Sequence, residues 1–432
     1  MTILRAALGL AFFCGIAWLM SSNRRRFPTR VVLFGLGLQV ALAWLILGTD
    51  TGRGIFDDAA SLVSHLIAMA QPGAEMVFGP LANPAKMSEV FGKGNGFILS
   101  MAGSGLVVII FFSALMSLLY HMGIMQVLIW LLAKIMSATM GVSGAESMAM
   151  AANMFVGQTE APLVVRPYIA GMTKSELNAL MTGGFATIAG SVMAVYIGIL
   201  GPEYGPHLLT ASVMSAPAAF LIAKIMQPET EVSTTAGNVE LRIERTASNA
   251  IEAAANGTSD GLKLWLNVIA MLIAFVALVA CINWPLGALG EWLVRNGGMD
   301  EGTTLSLQSI FGWVFAPVAW VMGVEGWADC QRFGSLLGTK IAVNEFVAFS
   351  EMVSMLSEHG QAAFQHERSK KMAAYALCGF ANFASIGIQI GGISPLAPER
   401  KKDISALAFR AMLGGAFASW MTATVAGAFL TD

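Results

Sequence analysis

Two glutamates lie within stretches of small and apolar residues where charge is expensive to keep. Glu160 sits in Gln158-Thr159-Glu160-Ala161-Pro162, and Glu345 follows Asn344. Insertion scales put Asp at about 2.5–3.5 kcal/mol at the centre of a membrane helix, so an embedded carboxylate calls for a reason. When ionised, the glutamates are pure acceptors, while Gln158 adds an amide and Thr159 a hydroxyl. Asn382 and Ser385 bring a further amide and hydroxyl on neighbouring faces of one apolar segment. Such groups suit a neutral solute rich in hydroxyls and amides better than a fatty one. Asn153, Thr187 and any free carbonyls at Val156 and Ile188 are hard oxygen donors, the type that alkali and alkaline-earth ions prefer. Blander readings exist for each. The glutamates could pair with Arg166 or Lys340, and the Asn, Thr and Ser side chains could be helix–helix hydrogen bonds.

The elements that must hold these groups are set by composition. The chain has 432 residues, of which 56% are hydrophobic and only 12% charged. That is about half the charged share of an ordinary soluble protein. The chain therefore reads as an all-α integral membrane protein. With 25 Lys+Arg against 27 Asp+Glu, no nucleic-acid partner is suggested. Cys14, Cys281, Cys330 and Cys378 show no CxxC spacing, so neither a disulfide framework nor a zinc site is expected. The histidines, His121 and His207 among them, lack metal-site spacing, and the Met-rich stretch 148–154 and the tryptophans read as packing and interface residues.

About 20 apolar residues cross a bilayer as a helix. Eight candidates meet that length: 3–20, 30–48, 98–120, 177–200, 206–226, 263–283, 372–394 and 404–429. The first, followed by Arg24-Arg25-Arg26 without a small-residue cleavage site, reads as a retained helix. Positive charge inside then places both termini outside, although 366–371 (HERSKK) falls on the wrong side. Residues 55–72 have the spacing of an amphipathic helix lying on the membrane surface. Residues 227–262 form a polar cytoplasmic linker.

Segments 141–172 and 323–352 fit no simple span, being broken by polar residues and Gly. Each follows a Met-Gly-Val, at 140–142 and 322–324, and each contains one of the embedded glutamates. Each precedes a small-residue span with a polar break, Thr187-Ile-Ala-Gly-Ser191 or Asn382-Phe-Ala-Ser385. This is a weak internal repeat on either side of the linker. Parity of crossings makes the copies inverted, the pattern that points to a secondary-transporter site between two re-entrant hairpins. The division that follows is 1–97 as N-terminal scaffold helices and interfacial helix, 98–226 as first repeat, 227–262 as linker and 263–432 as second repeat.

The runs Asn153-Met-Phe-Val-Gly-Gln-Thr-Glu-Ala-Pro-Leu, Thr187-Ile-Ala-Gly-Ser-Val192, Asn344-Glu-Phe and Gly379-Phe-Ala-Asn-Phe-Ala-Ser385 together resemble the concentrative nucleoside transporter family, in order and spacing over nearly the whole chain. The resemblance implies a homotrimer with eight transmembrane helices per protomer, two re-entrant hairpins and two broken helices. It implies that Gln158, Thr159, Glu160 and Val192 hold a nucleobase, that Glu345, Asn382 and Ser385 hold ribose hydroxyls, and that Phe380 lines the pocket. Sodium would sit at Asn153, the Val156 carbonyl, Thr187 and the Ile188 carbonyl. Thr187 departs from the family pattern, which has Ser there. The expectation is a sodium-coupled importer of nucleosides (the uridine, adenosine and cytidine class) in a bacterial inner membrane, working by an elevator-like motion and needing no cofactor beyond the coupling ion. Its rivals are proton coupling on the same fold, a membrane-embedded enzyme and a passive channel; no HExxH or GxSxG motif supports the enzyme.

Overall fold

A computed structural model describes residues 2–92, 96–235, 247–298, 304–356 and 363–430, and all regular structure among them is helical. The chain opens with the apolar helices α1 (Thr2–Leu19) and α2 (Thr29–Leu47). Next comes α3 (Asp50–Met69), capped by the Thr49 hydroxyl, which accepts from the Gly52 amide. It covers the amphipathic stretch, and its buried positions Gly52, Ala60 and Ile67 lie along one stripe. Helices α4 (Gln71–Phe78), α5 (Pro84–Phe91) and α6 (Gly96–Met101) are short. The stretch expected as one span at 98–120 is interrupted: a turn at 102–107 separates α6 from α7 (Val108–His121). Gly103 explains it, because a Cβ there would lie 2.5 Å from the Gln71 backbone, and its N–H donates to Gln71 Oε1 at 2.9 Å.

Two helices fall outside the expected spans, α8 (Ile124–Met140) and, later, α16 (Leu307–Met322). Both are the apolar stretches that close on Met-Gly-Val. Each ends at a left-handed glycine, Gly141 (φ 69°) and Gly323 (φ 101°), a conformation that any Cβ would strain. Beyond Gly141 come α9 (Gly144–Asn153), α10 (Ala161–Val164) and α11 (Arg166–Ile169), then α12 (Lys174–Ala186), α13 (Gly190–Leu200) and α14 (Gly205–Met226). The second half repeats this order with α17 (Trp327–Ala342), α18 (Glu345–Leu356), α19 (Glu367–Leu377), α20 (Phe383–Ile393) and α21 (Lys401–Phe429). Between the halves lies α15 (Ala250–Arg295), 46 residues long. It begins inside the stretch read as linker, because Asn249 caps it by accepting from the Glu252 amide. The middle of that stretch, 236–246, lies outside the described residues. Gly257 and Gly261 let α15 close on α7: added Cβ atoms would meet the Ser113 carbonyl at 2.5 Å and Ile110 Cα at 2.7 Å.

By length and composition, five helical segments among the described residues could each cross a membrane. Two bent pairs, α7 with α8 (75°) and α16 with α17 (111°), raise that to seven, with α1 and the α20 region as shorter apolar helices. The expected count of eight is thus neither reproduced nor replaced by one number. Long helices α14 and α21 pack on each other and on α12, and α21 also packs on α19. This arrangement buries the first halves of both broken spans and fixes where their breaks lie. At one end of the bundle, buried Lys224 of α14 pairs with Glu146 of α9 at 2.7 Å and donates to Ser175 of α12 at 2.9 Å. Ser143 and Glu146 form a capping box on α9, and Thr173 and Glu176 form another on α12.

Candidate solute and ion site

Helix α9 stops at Asn153, and the chain runs irregularly to Glu160 before α10. Gly157 allows the turn: its carbonyl accepts from the Glu160 and Ala161 amides, and a Cβ there would collide with Glu160 Oε2 at 2.3 Å. In the second half, α17 breaks at Val343 and Asn344, and Asn344 Oδ1 restarts the helix by accepting from the Val347 amide at 2.8 Å. That places Glu345 in the first turn of α18, 7% exposed. The breaks at 187–189 and 378–382 complete the frame. Gly379 (φ 159°) lies so close to the end of α12 that a Cβ would meet the Phe185 and Ala186 carbonyls at 2.9 Å. The Gly190 amide donates to the Phe155 carbonyl at 2.9 Å, tying the first helix break to the first hairpin tip.

These four irregular segments surround a cavity of about 640 Å³. Gln158, Thr159, Glu160, Val192, Glu345, Phe380, Asn382 and Ser385 all line it, as does Val156. Glu345 is held by neutral partners: Tyr196 donates to Oε1 and Asn382 Nδ2 to Oε2, each at 2.9 Å. Asn382 Oδ1 caps α20 by accepting from the Ser385 amide at 2.8 Å, so its amide orientation is fixed at both ends. Gln158 Nε2 donates to Ser385 Oγ at 3.3 Å. Glu160 is exposed to the cavity, and no ion pair reaches it among the described residues. Pairing with Arg166 or Lys340 is therefore not what keeps the glutamates. Arg166 is exposed at the cavity wall, and the Lys340 ammonium donates to the Ala376 carbonyl and Ser419 Oγ instead.

Asn153, Thr187 and Ile188 lie buried behind that wall. Asn153 Nδ2 reaches the Leu180 carbonyl at 3.5 Å, whereas its Oδ1 is buried with no hydrogen-bond partner among the described residues. An orphaned buried acceptor of this kind is costly unless something fills it. Thr187 spends its hydroxyl hydrogen on the Gly183 carbonyl at 2.9 Å, which leaves its oxygen lone pairs for another partner. Gly183 also abuts Asn153: an added Cβ would sit 3.0 Å from Nδ2. Val156 and Ile188 lie in the two breaks tied by the Phe155–Gly190 bond, and neither carbonyl accepts a hydrogen bond among the described residues. The donor set is all oxygen and uncharged, which fits a monovalent hard cation.

Two residues of this site escape a reading of motifs. Tyr196 passes for one more aromatic in an apolar helix, yet it lies four residues after Val192 and so shares its face. Gln389, 1% exposed, follows Ser385 by the same interval and donates from Nε2 to Gln158 Oε1 and to the Met181 carbonyl, each at 3.1 Å. Its place one helical interval after Ser385, on the face that also bears Asn382, was the available signal.

Family models described as Na+ dependent nucleoside transporter N-terminus, nucleoside recognition, and Na+ dependent nucleoside transporter C-terminus match residues 8–81, 104–203 and 207–427. An uncharacterized transporter of Haemophilus influenzae is 45% identical over 100% of this chain and 98% of its own. The nucleoside permease NupC of Helicobacter pylori is 40% identical over 98% and 97%. Human solute carrier family 28 member 3 is 41% identical over 97% of this chain but only 59% of its own. Among solved structures, CNTnw in an inward-facing substrate-bound state is 42% identical with a TM-score of 0.90 over 99% of each chain. A doubly substituted CNTnw in an outward-facing state gives 0.91 at 42% identity, over 99% of this chain and 98% of that one.

Proposed function

The chain, matched along its whole length by these relatives, belongs to the concentrative, Na+ dependent nucleoside transporter family and is a multi-pass membrane protein; from that premise we propose that it is a sodium-coupled nucleoside symporter. The observation that carries this reading is the convergence of both hairpin tips and both helix breaks on one cavity, with the orphaned Asn153 oxygen directly behind it. On this reading Gln158, Thr159 and Glu160, with Val192, contact the nucleobase. Glu345, Asn382 and Ser385 accept and donate to the ribose hydroxyls, and Phe380 packs against the solute. Asn153 Oδ1, the Thr187 hydroxyl and the Val156 and Ile188 carbonyls hold the ion.

The ion and solute sites share their supports, which gives a physical basis for coupling. The Phe155–Gly190 bond ties the break that bears Ile188 to the loop that bears Gln158. An ion drawn to Asn153 and Thr187 would stiffen both, and a solute would then pay less to order them. The driving force suffices: one Na+ crossing ~100 mV yields about 2.3 kcal/mol and a tenfold gradient about 1.4 more, enough for about 500-fold accumulation of a neutral solute.

Access from alternate sides would come from an elevator-like movement of hairpins and broken helices against the remaining helices. In support, the solved structures of CNTnw, 42% identical to this chain, include both inward-facing and outward-facing states. A homotrimer in a bacterial inner membrane, with both termini on the outer side, completes the proposal. The test is accumulation of radiolabelled uridine and adenosine by proteoliposomes under an inward sodium gradient. Uptake should overshoot the outside concentration; equilibration without overshoot would defeat symport.

One observation favours a second reading, proton coupling. Glu345 is buried, and among the described residues its oxygens are held by the neutral Tyr196 and Asn382 with no ion pair, a setting in which a carboxyl can carry a proton. Replacing sodium by choline at fixed pH separates the two.

A further inference from the structure

Gln389 is buried, lies outside every motif of the sequence, and holds Gln158, one of the polar side chains that line the cavity. Its Nε2 donates to two oxygens, Gln158 Oε1 and the Met181 main-chain carbonyl, each at 3.1 Å. The carbonyl can only accept, so the amide of Gln389 has one permitted orientation; turned over, it would set Oε1 against two acceptors. That orientation is kept although it leaves Gln389 Oε1 buried without a partner among the described residues. From the main chain, polarity then passes outward. Gln158 must turn Oε1 to Gln389 and its amino group to Ser385 Oγ, 3.3 Å away. What remains for the cavity is a donor, the second Gln158 N–H, next to a Ser385 hydroxyl whose hydrogen is also free to donate. Gly184 makes room for the pair: a Cβ there would lie 2.7 Å from Gln389 Nε2 and 3.0 Å from Gln158 Cβ.

We propose that Gln389 is a positioning residue that pins the Gln158 carboxamide with its N–H toward the cavity, and so selects nucleobases that present an acceptor at that edge. This rests on the reading of Gln158 as a nucleobase contact. Uridine and cytidine are the informative pair, since their pairing edges interchange donors and acceptors at adjacent positions. A pinned amide distinguishes them; a freely turning one reads both.

The experiment is a cycle of four proteins in proteoliposomes: wild type, Gln389→Met, Gln158→Ala and the double variant, with KM and Vmax measured for uridine and cytidine. Gln389→Met should raise KM for the preferred pyrimidine about tenfold, the worth of one hydrogen bond, with Vmax little changed, and bring the two KM values toward each other. In the Gln158→Ala background the same substitution should add nothing further. Gln389 acting merely as packing would raise KM by the same factor in both backgrounds, or not at all, and either result overturns the proposal. A Gln158→Ala protein with wild-type KM would overturn it from the other side, by showing that Gln158 does not read the base. Should Gln389→Met fail to assemble, Gly184→Ala, which presses on the same pair, goes through the same cycle.

Discussion

Glu345 and Glu160 differ in how much of their bonding capacity the protein already uses. Glu345 has Tyr196 on one oxygen and Asn382 on the other, whereas Glu160 faces the cavity free of ion pairs among the described residues. Glu160→Gln should therefore weaken solute binding by about 10- to 150-fold through one lost charge-assisted bond, with assembly intact. Glu345→Gln should lose as much or more. Its new NH2 must face the Tyr196 hydroxyl, which can turn to accept, or the Asn382 amino group, which cannot. Isothermal uptake curves check both, and near-normal uptake would remove the glutamates from the site. Replacing ribose by 2′,3′-dideoxyribose should weaken competition strongly, since the hydroxyls that this reading has Glu345, Asn382 and Ser385 bind would be gone. For the ion, Asn153→Ala and Thr187→Val should each raise the sodium concentration that gives half-maximal uptake, while Thr187→Ser should leave it nearly unchanged. A dependence on sodium that is unchanged in both of the first two variants would leave only helix–helix hydrogen bonding for these residues. The cavity-lining positions were legible in the sequence where a polar residue interrupts an apolar run, as at Gln158, Glu160 and Glu345. Tyr196 and Gln389 were not, because a tyrosine and a lone amide within a helix are common and only their partners give them meaning.

Elements were legible in proportion to how simply their periodicity reads. The repeat was visible, and its Met-Gly-Val signature proves to be a helix end with a left-handed glycine at Gly141 and Gly323. The helices just before it, α8 and α16, were not among the expected spans because, at 17 and 16 residues, each is shorter than the roughly 20 that a crossing needs and runs directly into an irregular segment. The stretch 98–120 was read as one helix because Gly103 and Gly105 are compatible with an apolar helix; what breaks it is contact with Gln71, remote in sequence. Two positions test this level. Gly379→Val should displace the break of the second span from the Phe185 and Ala186 carbonyls and abolish uptake, with a loss of thermal stability in detergent. Lys224→Met should cost about 3–5 kcal/mol by stranding buried Glu146, and adding Glu146→Gln should recover much of it. If the double variant is no more stable than the single one, Lys224 acts through Ser175 or through Glu229, whose carboxylate lies 3.6 Å from the ammonium, and not through Glu146.

For the whole molecule, composition alone made it a membrane protein, and the relatives place it in a transporter family along its full length. Orientation was harder, because charge counting treats every basic residue as free. The dissenting run at 366–371 is substantially neutralised: Arg368 pairs with Glu325 and also donates to the Gly427 carbonyl at 2.7 Å, and Lys370 pairs with Glu367. The positive-inside rule counts basic residues and not net charge, so this pairing leaves the dissent of 366–371 standing. The central claim is thermodynamic coupling between solute and sodium, and coupling is reciprocal. Vesicles equilibrated with equal labelled sodium on both sides, at one pH and zero potential, should therefore gain sodium when uridine is added outside. Sodium should enter against its own rising gradient and fall back as uridine equilibrates. Sodium content that stays flat while the vesicle interior acidifies on uridine addition would contradict the account and establish the proton as the coupled ion.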